Sequence, residues 1–281
     1  MPSTGLKGKV VAITGAGRKG GIGRAIAAAL AAEGANVAVS DIGRPLEDFQ
    51  DYQVAERGEL EDAAEELRSH GVEAEPIYCD VTKEAEVDAL VAGTVERFGR
   101  LDIFVNNAGI GLGLVPVVEL TEAAWDKNLG VMAKGTFFGI RAAGRQMIAQ
   151  GGGGRIINIA SQAGKTGWPL LGAYCAAKFA IVGLTQVAAI ELGPHGITVN
   201  AICPGTVETP LLDLRGGLWE AYTAAQGVSK EQLKEQVLQQ IPLRRFQRPE
   251  DVADLAVFLA SDQGGYITGE AINSTGGQEM H

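Results

Sequence analysis

Short apolar runs of strand length alternate with longer stretches of helical period along nearly the whole chain, and few chain paths satisfy that rhythm. The runs are VVAIT (10–14), NVAVSD (36–41), EAEPIYCD (73–80), LDIFVNN (101–107), RIINIAS (155–161), ITVNAICP (197–204) and EAINST (270–275). Between them the sequence predicts helices over 24–33, 59–70, 83–98, 121–150, 173–192 and 249–261. Strands separated by helices run parallel, and runs that stay apolar instead of alternating belong to a sheet covered on both faces. The expected fold is therefore α/β, a doubly wound parallel sheet. One domain is expected over 1–281, because no composition shift or repeat divides the chain and GGGG (151–154) reads as a turn. Two segments break the rhythm, 42–58 and 206–248. Segments of that length after strand ends commonly serve as lids or partner surfaces.

The turn after the first strand reads TGAGRKGGIGRA (14–25). A pyrophosphate-binding turn needs residues without side chains where the backbone approaches the phosphates, then a helix N-terminus. Gly15, Gly17 and Gly20 satisfy the dinucleotide fingerprint of a Rossmann fold literally, but that register places Gly21 and Gly23 inside the helix. Each would cost about 0.8–1.0 kcal/mol relative to Ala there. Ending the loop at Gly21-Ile22-Gly23 and starting the helix at Arg24 removes the conflict. Arg18 and Lys19 then lie on an enlarged loop, either as solvated turn residues or against the pyrophosphate. Asp41 closes the second strand, where a carboxylate accepts from both adenosine ribose hydroxyls and repels a 2′-phosphate. The cofactor expected is NAD, with NADP disfavoured.

A second constellation lies in SQAGKTGWPLLGAYCAAKFA (161–180). Tyr174 and Lys178 are four residues apart and share one helix face. The ammonium should favour phenolate and bring Tyr174 toward the range of a general base. Ser161, at the end of its strand, would hydrogen-bond the substrate oxygen. With the glycine loop, NNAG (106–109) and CPGTVETP (203–210), the chain resembles the short-chain dehydrogenase/reductase family over residues 7–278. The resemblance implies a seven-stranded Rossmann sheet, NAD(P), and reversible oxidation of a carbinol to a carbonyl. It implies Tyr174 as acid/base, Lys178 as the residue that lowers its pKa and holds the nicotinamide ribose, and Ser161 as substrate orienter. It also implies Asp80 and Val81 beside adenine, and Asn107, Ala108 and Gly109 along the adenosine ribose. Pro204, Gly205, Val207 and Thr209 would lie beside the nicotinamide. A homotetramer through the helices at 121–150 and 173–192 is implied as well.

Two departures accompany the resemblance. The glycine loop is two residues longer than the family's. In WDKNLGVMAKGTFF (125–138), Met132 occupies the position of the family's fourth catalytic residue, an Asn that helps hold a relay water. A thioether accepts weakly and cannot donate, so backbone carbonyls and Lys178 are expected to hold that water. Asn128, one turn earlier, would reach the cleft only if the helix were displaced. A dinucleotide-binding sensor or scaffold without turnover is the alternative reading, and Met132 is its support. Trp168, Leu170 and Leu171 follow Ser161 closely enough either to line a substrate pocket or to pack in the core. With Leu211, Leu212 and Trp219 near Trp168 and Leu170, a substrate with a ring or a moderately apolar body is expected, a cyclic alcohol or polyol, under a lid at 206–248 in preference to a subunit contact there.

The formal charge of −10 argues against a nucleic-acid partner, which needs a basic face. Cys79, Cys175 and Cys203 have no metal-ligand spacing and suit a reducing compartment. The opening MPSTGLKGKVVAITG lacks a signal-type apolar core. A cytoplasmic enzyme without membrane segment or metal is expected, acting on a small alcohol or ketone.

Overall fold

The computed structural model describes residues 4–50, 52–214 and 216–281; Asp51 and Arg215, within the two long segments, and residues 1–3 lie outside the described residues. Seven strands form one parallel sheet: β1 (Val10–Thr14), β2 (Asn36–Asp41), β3 (Ala74–Tyr78), β4 (Ile103–Asn106), β5 (Gly154–Ile159), β6 (Ile197–Pro204) and β7 (Ala271–Ser274). Their order is β3-β2-β1-β4-β5-β6-β7, with every pairing parallel. β1, β2 and β6 coincide with the expected runs, because strands buried on both faces carry unbroken apolar character.

Successive side chains point to opposite faces, so each strand feeds two cores. Ala12, Phe104 and Ile156 join one core with α3 (Glu84–Phe98), α5 (Gly135–Gln150) and α6 (Gly172–Leu192). Val11, Ile13 and Val105 join the other with α1 (Ile22–Ala32), α2 (Arg57–Arg68) and α10 (Pro249–Ala260). This is the doubly wound Rossmann architecture, and strand order reverses between β1 and β4. Ligands bind outside the carboxyl ends of strands at such a reversal.

The helix expected over 121–150 runs without a gap but changes its period. It divides into α4 (Glu122–Asn128), a π-helical turn (Leu129–Lys134) and α5. The Gly135 N–H reaches back to the Gly130 carbonyl. Composition does not separate π from α periods, so the change was invisible in the sequence. The 206–248 segment forms α7 (Pro210–Asp213), α8 (Leu218–Gln226) and α9 (Lys230–Gln240), with a small core of Trp219, Leu233, Ile241 and Phe246. Among the described residues, Gly172–His195 alone is long and apolar enough to cross a membrane. It carries Lys178 buried against the sheet, the situation of a core helix.

Candidate active site

The loop after β1 begins with Gly15 at φ +66°, where a Cβ would lie 2.7 Å from the Ala108 backbone. Only glycine permits that conformation and that approach together. The helix starts at Ile22, with Gly21 as its N-cap. The expected start at Arg24 is corrected by two residues, and Gly23 stands in the first helical turn. Its reason is packing: a Cβ would sit 2.4 Å from Asn107 Nδ2 and 2.5 Å from the Gly15 carbonyl. Gly23 supports the loop and does not line the groove, whereas Gly15, Arg18, Gly21 and Ile22 do. Arg18 donates to the Gln53 carbonyl, and the Lys19 backbone N–H donates to Glu59 at 3.3 Å.

Asp41 lines the same groove at the end of β2. Its Oδ2 accepts from Gly17 N–H at 3.0 Å and its Oδ1 from Ile42 N–H at 2.8 Å. Burial pushes its carboxyl up, and those two donors and Arg18 oppose the shift. Arg44, the other nearby cation, is held by Asp80 and Glu86, each at 3.4 Å. Asp80, Val81, Ala108 and Gly109 line the groove as well. Asn107 also lines it, but its amide is committed to the Thr14 and Gly15 carbonyls at 2.9 and 2.8 Å. Its side chain locks the glycine loop to β4. Pro204, Gly205, Val207 and Thr209 complete the far end.

Ser161, Tyr174 and Lys178 meet at the groove's inner end. A buried polar relay seats α6: Asn106 Nδ2 donates to Asn158 at 2.8 Å, and Asn158 Nδ2 donates to Thr185 at 2.9 Å. The turn after Ser161 approaches so closely that a Cβ on Gly164 would sit 2.7 Å from the Lys178 carbonyl. Ser161 Oγ accepts from Ala163 N–H at 3.1 Å, which leaves its own proton to donate. Lys178 Nζ donates to the Ile159 carbonyl at 2.7 Å and lies 5.6 Å from the Tyr174 ring centroid. Burial pushes Tyr174 up to about 12, opposed by the Ser161 hydroxyl. Burial lowers Lys178 to about 8. In this geometry desolvation is the largest influence on both groups.

Met132 is fully buried in the π turn, with its sulfur 3.8 Å from where a Gly109 Cβ would stand. Asn128 does not face the cleft. Its Nδ2 donates to the Leu112 carbonyl at 2.9 Å and the Ala124 carbonyl at 2.7 Å. It ties α4 to the loop that follows Gly109.

A second cavity adjoins the groove. Trp168, Leu171, Leu211, Leu212, Trp219 and Tyr222 line it, and Leu170 does not. Leu170 sits at φ +66°, in a turn that presents Leu171 instead. Tyr222 on α8 donates to the Pro169 carbonyl at 2.6 Å, so the 206–248 segment closes onto the loop after Ser161. Sequence reasoning missed Gln162 and Gln278, whose amides meet at 3.3 Å on this cavity's wall. It also missed Leu46 and Tyr52 of the insertion, which line the groove; the insertion's length was the one signal. No cluster of three or more His, Cys, Asp or Glu is placed to hold a metal among the described residues.

The site fits a dinucleotide. A glycine cradle stands at the N-terminus of an eleven-residue helix, and a carboxylate at the end of β2 and a hydroxyl, phenol and amine beyond β5 line the same groove. A family model described as enoyl-(acyl carrier protein) reductase matches residues 15–279. A short-chain dehydrogenase/reductase of Armillaria gallica is 41% identical over 278 residues, covering 99% of this chain and 98% of that protein. Sorbitol dehydrogenase of Cereibacter sphaeroides is 40% identical over 275 residues, covering 98% and 99%. The crystal structure of NAD+-bound xylitol dehydrogenase superimposes with a TM-score of 0.85 at 34% identity, covering 97% of this chain and 99% of that one.

Proposed function

The chain belongs to the short-chain dehydrogenase/reductase family as an NAD(P)-dependent alcohol dehydrogenase/ketone reductase, and we propose that it uses NAD and a Ser161–Tyr174–Lys178 site to interconvert a secondary alcohol and its ketone. The observation that carries this reading is the meeting of those three side chains where the dinucleotide groove joins a second cavity. A bound nicotinamide would supply the acceptor for the hydride that leaves the carbinol carbon. Ser161, already an acceptor for Ala163 N–H, donates its proton to the substrate oxygen. Tyr174 takes the hydroxyl proton in oxidation and returns one in reduction. Lys178 spends one N–H on Ile159 and keeps the others for the nicotinamide ribose.

NAD is favoured over NADP because the Asp41 carboxylate lines the groove at the end of β2, while the Arg44 guanidinium is paired with Asp80 and Glu86. A neutral alcohol is favoured because no charged side chain lines the second cavity among the described residues. The polyol names of similar proteins agree with an alcohol substrate. We read residues 1–281 as one domain with a substrate lid at 206–248, since Tyr222 latches that segment to Pro169. Exposed Phe179, Val187 and Ile190 lie along one face of α6, which supports a homotetramer. Three free, buried cysteines support a cytoplasmic setting.

The test is to mix the purified chain with NAD and a panel of secondary alcohols and to follow the absorbance of reduced nicotinamide. Turnover with at least one alcohol is expected. Binding of NAD without turnover on any would return the sensor reading.

A further inference from the structure

The dinucleotide groove and the second cavity share a short wall made by Tyr52, Ser161, Tyr174, Gly205, Leu211 and Leu212. Five of these come from strand ends, α6 and the lid. Tyr52 comes from the insertion after β2, and the proton chemistry above makes no use of it. It is nevertheless held firmly. Tyr52 is 9% exposed, the Gly111 N–H donates to its hydroxyl at 3.1 Å, and the next residue, Gln53, accepts from Arg18. Having accepted from Gly111, the phenol has one proton left to donate, and it meets no acceptor among the described residues. Burial pushes its pKa up, so that proton stays in place at neutral pH.

Gly111 lines the second cavity, which puts the pinned hydroxyl on the substrate's side of the wall. Tyr174 stands on the same wall, close enough that charge on Tyr52 raises its pKa. The remaining polar side chains of that cavity are uncharged, among them the Gln162, Gln226, Gln236, Gln240 and Gln278 amides, the Thr206 hydroxyl, the Trp168 indole and the Tyr222 phenol. An oxygen recognised here is therefore neutral. Two phenols on one wall suit two oxygens on adjacent carbons.

We propose that Tyr52 is a specificity-determining residue that donates to a second, neutral substrate oxygen next to the reacting carbinol, so that vicinal diols and the matching α-hydroxyketones are the preferred substrates. The proposal rests on the Ser161–Tyr174–Lys178 reading. It is tested with Tyr52→Phe in the full-length chain, using cyclohexane-1,2-diol and cyclohexanol at saturating NAD. NAD affinity is measured separately by quenching of protein fluorescence.

The wild-type chain is expected to prefer the diol. In Y52F the diol-to-mono-alcohol ratio of kcat/KM should fall about fivefold, carried by the KM of the diol, as for one neutral hydrogen bond lost. Binding of NAD shows that the variant is folded. Equal losses on both alcohols, a change in NAD affinity alone, or wild-type preference for the mono-alcohol would each overturn the proposal. Retained turnover in Tyr174→Phe would instead remove the reading beneath it, so the two failures are distinct.

Discussion

The Lys178 amine donates to the Ile159 carbonyl at 2.7 Å, which ties α6 to the end of β5 just before Ser161. The bond fixes the amine, but burial leaves its charge costly and lowers its pKa from 10.5 to about 8. The folded state thus binds fewer protons than the unfolded chain between about pH 8 and 10.5. Stability rises with pH across that window, and below it the full penalty applies. Lys178→Met should be more stable than the wild type at pH 7 by about 1–2 kcal/mol, after allowing for the donor lost to Ile159. The gain should shrink as pH climbs from 8 toward 10.5, and turnover should be lost. Thermal melts of both proteins at pH 7 and pH 10 check the sign.

We read Met132, which is fully buried, as standing at the position of the family's relay residue, while Asn128 is engaged by Leu112 and Ala124. Met132→Asn should raise turnover about threefold or more by giving the relay water a side-chain partner. It should also lower the melting temperature, because an amide replaces a fully buried thioether. Steady-state kinetics with a good alcohol, read beside a melt, separates the two effects. A fall in turnover of the folded variant would mean that Met132 does not stand in the relay.

Asp41 holds Gly17 and Ile42 with its two oxygens and lines the groove at the end of β2, where we place the adenosine ribose. Asp41→Asn keeps an acceptor and removes the charge that repels a 2′-phosphate. With Arg18 near enough to act on Asp41 electrostatically, the ratio of kcat/KM for NAD over NADP should fall about tenfold. An unchanged ratio would place cofactor choice elsewhere.

The sheet was legible in the sequence where burial on both faces leaves no other reading, as in VVAIT and ITVNAICP. The candidate constellation was legible because spacing four apart on a helix fixes Tyr174 and Lys178 on one face. What stayed hidden depended on tertiary approach. Gly23 is glycine because Asn107 comes within contact, a reason absent from its neighbours in sequence. The π turn around Met132 depends on an i→i+5 bond that composition does not encode. The charge state of Lys178 depends on desolvation by the whole fold. Tyr52 lay in a segment whose length signalled importance but whose path across the groove only the structure reveals.

The central claim, that the phenol of Tyr174 carries the substrate proton, is tested most directly by the pH dependence of NAD-linked alcohol oxidation in the wild type and in Tyr174→Phe. Burial holds the phenol at about 12, so the wild-type rate should climb with pH from 7 to 10 as the phenolate fraction grows, while ketone reduction declines over the same range. The variant should lose at least about a hundredfold at every pH. A variant that keeps wild-type turnover, with the same rising profile, would contradict the account.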